Sequence, residues 1–274
     1  MTAEHLRATE ARFDRAEARL PGTEAGAPTA PLLPPAEAKR RVEATLHGLK
    51  GAGVLAILRA KGDAAVAIAR GVELAEMGCR AMEVTMDSSD WRAVLAGLRA
   101  KLPSSVLLGV GTVMDETVSC IGEATSLGAS FFLSPIDPVG FVDACHRHGT
   151  LAIPSAFTSN ECWQLHRRGV RLIKLFHAGL ASPSVLKSML DVTPLGQNLN
   201  ILPSGGVSPE NIEEWWDAGA AVVGMGSNLV GKDIATVVGS DAHEAAVAGW
   251  VSKGRATAEA LYERVARRFP AGAG

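Results

Sequence analysis

The stretch Val54-Leu55-Ala56-Ile57-Leu58-Arg59-Ala60, followed by Lys61-Gly62-Asp63 and an alanine-rich run, decides the fold. An apolar run with one charge near its end reads as a strand buried on both faces. Asp63 stands where a helix over Asp63–Met77 would begin, and a carboxylate there accepts from the unpaired N–H groups of a first turn. No glycine-rich turn of the dinucleotide-binding kind separates strand from helix, which argues against a doubly wound sheet.

The same unit recurs along the chain. Strand-like runs fall at Val54–Ala60, Ala81–Met86, Val106–Val113, Ser130–Pro135, Thr150–Ala156, Leu172–His177, Asn198–Pro203 and Ala221–Ser227. Amphipathic stretches such as Asp115–Leu127 and Pro209–Ala218 lie between them. Ser208-Pro209-Glu210 pairs an N-cap residue with proline at the first helical position. Gly78, Gly128, Gly149, Gly169 and Gly219 stand where a left-handed residue closes a helix. Eight units in roughly 215 residues fit a (β/α)8 barrel, whose usual size is about 250 residues. The predicted fold class is therefore α/β, a TIM barrel over residues 51–274 with an N-terminal helical extension over residues 1–50. In that extension a salt-bridge-laced helix is expected over Ala3–Leu20, a linker over Pro21–Pro35 and a second helix over Ala36–Leu49.

Composition narrows the partners. A net charge of −2 and 5% aromatic residues leave no electrostatic footprint for nucleic acid. No apolar run approaches the roughly 20 residues of a membrane span. The 4 cysteines lack CxxC spacing, which suits reduced thiols in the cytoplasm.

In a barrel the chemistry sits at the C-terminal ends of the strands. Lys174 is the one charge in Leu172-Ile173-Lys174-Leu175-Phe176. A lysine with its head in solvent is the ordinary reading, but a buried amine loses its proton easily and becomes a nucleophile toward carbonyls. Glu83, in Ala81-Met82-Glu83-Val84-Thr85, is the second charge inside a strand and suits proton transfer, or a plain ion pair with Lys174. Arg59 offers a planar fork to a carboxylate, or holds Glu83 or Asp87. Thr112 offers a hydroxyl and an unhindered amide on a Gly-x-Gly-Thr turn. Ser204-Gly205-Gly206 and Gly224-Met225-Gly226-Ser227 follow the last two strands, where barrels frequently bind phosphate. Cys145-His146-Arg147-His148 has metal-like spacing but falls at a helix end, away from the catalytic face, so no metal site is assigned.

Together these motifs resemble the class I 2-keto-3-deoxy-6-phosphogluconate (KDPG) and 4-hydroxy-2-oxoglutarate aldolase family. The resemblance rests on Ala56-Ile57-Leu58-Arg59, Met82-Glu83-Val84-Thr85, Gly109-Val110-Gly111-Thr112-Val113, Ser134-Pro135, Ile153-Pro154, Ile173-Lys174-Leu175-Phe176, Ser204-Gly205-Gly206-Val207 and Gly224-Met225-Gly226-Ser227. It implies a homotrimeric barrel that needs no cofactor and splits a phosphorylated keto acid into pyruvate and glyceraldehyde 3-phosphate. Carried over, Lys174 forms the Schiff base and Glu83 shuttles protons. Arg59 and Thr112 receive the pyruvate end, Ser204, Gly205, Gly206, Gly226 and Ser227 the phosphate, and Pro135 is a further substrate-binding residue. Met86-Asp87-Ser88-Ser89-Asp90-Trp91 is more similar to the 6-phosphogalactonate branch, since gluconate-type members carry arginine at the Asp87 position. His177 stands where the family usually has proline. Asp87 and His177 are therefore the candidates for substrate selectivity. The alternatives are an aldolase for unphosphorylated 4-hydroxy-2-oxoglutarate and a non-catalytic phosphosugar-binding barrel.

Overall fold

The computed structural model describes residues 30–270. The alternation of apolar runs and helices becomes parallel strands β1 (Val54–Leu58), β2 (Ala81–Thr85), β3 (Leu107–Gly111), β4 (Phe131–Leu133), β5 (Leu151–Ile153), β6 (Ser155–Ala156), β7 (Ile173–Leu175), β8 (Ile201–Pro203) and β9 (Val223–Met225). Pro154 has no N–H, so it interrupts the ladder and divides the fifth barrel position into β5 and β6. Its carbonyl still accepts from the Lys174 N–H at 2.9 Å, and Ser134 N–H donates to the Ile153 carbonyl at 3.1 Å. A bridge between Ser204 and Gly224 joins the end of β8 to β9, and β9 pairs with β1. The ring is closed, and the (β/α)8 barrel expected from the strand–helix alternation is present.

Strand periodicity divides the side chains into two cores. Val54, Ala56 and Leu58, with Met82, Val84, Leu108 and Val110, face the outer shell of helices. Leu55, Ala81, Phe131, Leu133, Leu151, Ile153, Leu172, Leu202 and Val222 fill the interior instead. Helix α1 (Pro35–Ala52) closes the interior from below, since its Val42, Leu46, Leu49 and Ala52 belong to that same inner cluster. The second helix expected in the extension is thus part of the barrel's packing. The helix expected over Ala3–Leu20, and most of the linker before Pro35, lie outside the described residues.

Capping chemistry largely behaves as read. Asp63 accepts from Ala65 N–H at 2.8 Å ahead of α2 (Ala64–Glu76), and Gly78, Gly128, Gly149, Gly169 and Gly219 all have positive φ. One start is displaced. Ser208 does not cap a helix: its N–H donates to Asn211 Oδ1 at 2.9 Å, and the helix begins only at Ile212. Asn211 Nδ2 also donates to the Gly206 carbonyl at 3.0 Å, which folds these residues back onto the glycine turn. The stretch predicted over Asp115–Leu127 opens as a 3-10 turn, Asp115–Cys120, before its α-helical part.

Candidate active site

Continuing the inward alternation from Leu55, Ala81, Leu172, Leu202 and Val222 by one and two steps reaches Ile57, Arg59, Glu83, Lys174, Ser204 and Gly226. These residues line a cavity of about 380 Å³ at the C-terminal end of the barrel, together with Thr112, Pro135, Phe176, Gly205 and Ser227. Gly206 lies outside the lining, packed against Gly179, where an added methyl would come within 2.6 Å of the Gly179 Cα. Asp87 is on the rim. His177 lies behind the wall, its ring centroid 3.5 Å from that of Phe176.

Glu83 and Lys174 are the buried charges of this cavity, 1% and 6% exposed. Burial pushes the Glu83 carboxyl up, against the opposing pull of the Lys174 and Arg59 charges. Burial pushes the Lys174 amine down, with Glu83 opposing and Arg59 assisting. Glu83 Oε2 has no hydrogen-bond partner, an expensive state for a buried acceptor unless a bound molecule completes it. Lys174 Nζ sits 4.6 Å from the centroid of the Phe176 ring. The pair therefore presents an amine that gives up its proton more easily than an exposed lysine beside a carboxyl that holds its proton more firmly than an exposed glutamate.

On the rim Arg59 is paired with Asp87, and its Nη2 reaches Thr112 Oγ1 at 3.5 Å. Lys61 supplies a second cation to Asp87, with Nζ 3.2 Å from Oδ2. Partial burial alone would raise the Asp87 carboxyl, but the Thr85 hydroxyl, Arg59 and Lys61 together hold it below its ordinary value. Two cations against one anion leave this edge net positive, so Asp87 does not cancel its attraction for an anionic substrate. Thr112 has φ +60°, a conformation that costs a non-glycine residue of order 1 kcal/mol or more and recurs at functional sites.

Across the cavity, the turn after β8 has positive φ at Gly205 and Gly206 (+80° and +94°). The carbonyls of Ser204 and Gly205 accept from Ala178 and Gly179 N–H at 2.9 and 2.6 Å. Asn228 Nδ2 donates to the Val207 carbonyl at 3.2 Å, tying the turn after β8 to the one after β9. Ser155 Oγ donates to the Ser134 carbonyl at 2.6 Å, so it is committed to structure.

Several residues in or beside the cavity were not among the candidates. Phe176 was in the quoted motif, and its period-2 relation to Lys174 was the signal that placed it inside. Lys61 lies beyond the end of β1 and outside the lining, and joins the site through Asp87. Gly111 entered only as part of the Gly-x-Gly-Thr turn; its missing side chain makes room for Glu83. Val230, Gly231, Ile234 and Ala235 form a wall that no local pattern announced.

The model of the KDPG and KHG aldolase family matches residues 45–243. The 2-dehydro-3-deoxy-6-phosphogalactonate aldolase of Escherichia coli (strain K12) is 27% identical over 155 residues, covering 56% of this chain and 73% of that protein. The 2-dehydro-3-deoxy-phosphogluconate aldolase of Treponema pallidum (strain Nichols) is 32% identical over 138 residues, covering 50% of this chain and 63% of that protein. A solved native KDPGal structure shares the barrel, with a TM-score of 0.64 at 23% identity over 79% of this chain and 95% of its own. With the family match spanning most of the barrel, this chain belongs to the KDPG and KHG aldolase family.

Proposed function

We propose that this protein is a class I aldolase that cleaves a 2-keto-3-deoxy-6-phospho sugar acid to pyruvate and glyceraldehyde 3-phosphate. The observation that carries this reading is the burial of Lys174 and Glu83 in one cavity, with a Glu83 oxygen that has no hydrogen-bond partner. Neutral Lys174 attacks the C2 ketone, and loss of water from the carbinolamine gives a protonated imine. Glu83 takes the C4 hydroxyl proton, the C3–C4 bond breaks, and its electron pair moves into the imine to form an enamine. The aldehyde fragment leaves. Return of a proton to C3 gives the pyruvate imine, which water hydrolyses to free Lys174. A buried carboxyl with a raised pKa suits both directions of this proton traffic.

Arg59 and Thr112, with Pro135 beside them, receive the C1 carboxylate. The turns Ser204-Gly205-Gly206 and Gly226-Ser227 receive the phosphate, Gly206 acting through the turn's shape. Asp87 and His177 adjust the fit: Asp87 fixes Arg59, and His177 backs Phe176. Free cysteines at Cys79, Cys120, Cys145 and Cys162 support a cytoplasmic setting. Among the described residues no helix is long and apolar enough to cross a membrane. The family resemblance supports a homotrimer, and exposed Val139, Phe157 and Leu180 offer apolar surface for subunit contact.

The test is pyruvate release, coupled to lactate dehydrogenase, from both C4 epimers and from 4-hydroxy-2-oxoglutarate. Turnover of a phosphorylated epimer with a kcat/KM well above the unphosphorylated compound supports the proposal. Phosphosugar binding with no pyruvate release would replace it with a binding protein.

A further inference from the structure

Arg70 lies on α2, in the outer shell, yet it is only 6% exposed. Its guanidinium meets the Asp233 carboxylate through both forks, Nη1 to Oδ1 at 3.1 Å and Nη2 to Oδ2 at 2.8 Å. Nη1 also donates to the Val230 carbonyl, and Nε to Glu73 Oε2 at 3.1 Å. The Trp250 ring covers it, 3.4 Å from Cζ to the centroid, and Trp250 Nε1 donates to the same Glu73 oxygen at 3.1 Å. Desolvation offsets much of the Coulomb gain of such a buried pair, so what it most distinctively supplies is a fixed geometry.

What it fixes is a wall of the cavity. Val230, Gly231, Ile234 and Ala235 face the cavity, in chain continuity with Gly226 and Ser227. The wall is anchored at both ends. Arg70 holds Val230 and Asp233, and the Ile234 carbonyl accepts from Lys61 N–H at 3.0 Å. The Asp233 carbonyl accepts from Thr236 Oγ1 at 2.9 Å, with His243 Nδ1 3.3 Å away. Gly231, at φ +84°, has no room for a side chain, since a methyl would lie 2.6 Å from both Arg70 Nη1 and Asp233 Oδ1. Trp250 and Arg255, whose Nε is 3.6 Å from Glu73, lie beyond residue 243, where the family match ends. The outer half of this clamp is thus supplied by a part of the chain outside the matched region.

We propose that Arg70 is a positioning residue that, through Asp233, sets the Val230–Ala235 wall against which the phosphorylated half of the substrate binds. The proposal rests on the aldolase reading above. The keto-acid half is received by Arg59, Thr112 and Lys174, which come from the ends of β1 and β3 and from β7 rather than from this wall.

The test compares wild type, Arg70→Lys and Arg70→Ala. In Arg70→Lys, KM for the phosphorylated substrate rises roughly tenfold while kcat stays within about threefold. Borohydride trapping of pyruvate on Lys174 proceeds at the wild-type rate. Amide exchange at residues 230–236 accelerates roughly tenfold, while β7 keeps its protection. Millimolar ethylguanidinium, which refills the space left in Arg70→Ala, restores the wild-type KM. Unchanged KM with unchanged exchange at residues 230–236 overturns the proposal, as does loss of protection throughout the barrel. Absence of pyruvate trapping in the wild type defeats the aldolase reading, and with it any reaction role for Arg70. The exchange data then decide separately whether Arg70 holds the wall.

Discussion

A methyl group at Gly111 would lie 1.5 Å from Oε1 of Glu83. The two residues are on adjacent strands, β3 and β2, where Thr85 is the partner of Gly111 in register. The carboxyl of Glu83 occupies the volume that any side chain at position 111 would claim. Gly111→Ala must therefore displace Glu83 from the cavity. Removing a positioned acid–base group lowers turnover by about 10² to 10⁴, so Gly111→Ala should approach the kcat of Glu83→Gln. Steady-state kinetics of the two variants side by side check this.

Burial gives Glu83 and Lys174 opposite pH signatures. Folded Glu83 keeps its proton above the ordinary value of 4.5, so stability falls as pH rises from there through its folded pKa. Folded Lys174 has released a proton that the unfolded chain holds up to 10.5, so stability rises with pH across the interval from its folded pKa to that value. Lys174→Met removes the second dependence. Its melting temperature should exceed wild type at neutral pH, by about 2–4 °C for each kcal/mol regained. The gap should close as pH approaches 10.5. Thermal melts of both proteins across that pH range measure it.

The rim cations should contribute unequally. Arg59 and Lys61 are similarly exposed, 45% and 43%, but Arg59 lines the cavity whereas Lys61 reaches Asp87 in an exposed pair worth about 0.2–1 kcal/mol. Lys61→Met should therefore raise KM less than about fivefold, with kcat unchanged. Arg59→Met loses a charge-assisted contact worth about 1.5–3 kcal/mol and should raise KM by tenfold or more. Initial rates of the two variants over a range of substrate concentrations check the difference in KM.

Leu49 is fully buried in α1, within the inner core of the barrel. Leu49→Ala should lower stability by about 2–5 kcal/mol, read as a shift of the denaturant midpoint, and leave KM unchanged because the cavity is at the opposite end. A deletion ending before Pro35 should still fold, whereas one extending through Ala52 should not.

Much of this was legible because strand periodicity is local. The spacing from Leu172 to Lys174 to Phe176 places all three on one face without knowledge of any neighbour, and the same holds for Leu55, Ile57 and Arg59. The ring of eight positions followed from repeating that pattern. Contacts between distant segments were not legible. Nothing in the helical pattern of Ala64–Glu76 shows that Arg70 meets Asp233, and nothing in Pro35–Ala52 shows that its apolar face fills the bottom of the barrel rather than a subunit contact. The displaced helix start at Ile212 has the same origin, because Asn211 is committed to the glycine turn.

If Lys174 is the imine-forming amine, borohydride reduction in the presence of pyruvate captures it as a stable covalent adduct. Peptide mass spectrometry should find one reduced pyruvate adduct, on Lys174, in the wild type and none in Lys174→Met. A wild-type protein that forms no adduct, or an adduct that persists in Lys174→Met, would rule out Lys174 as the Schiff-base residue.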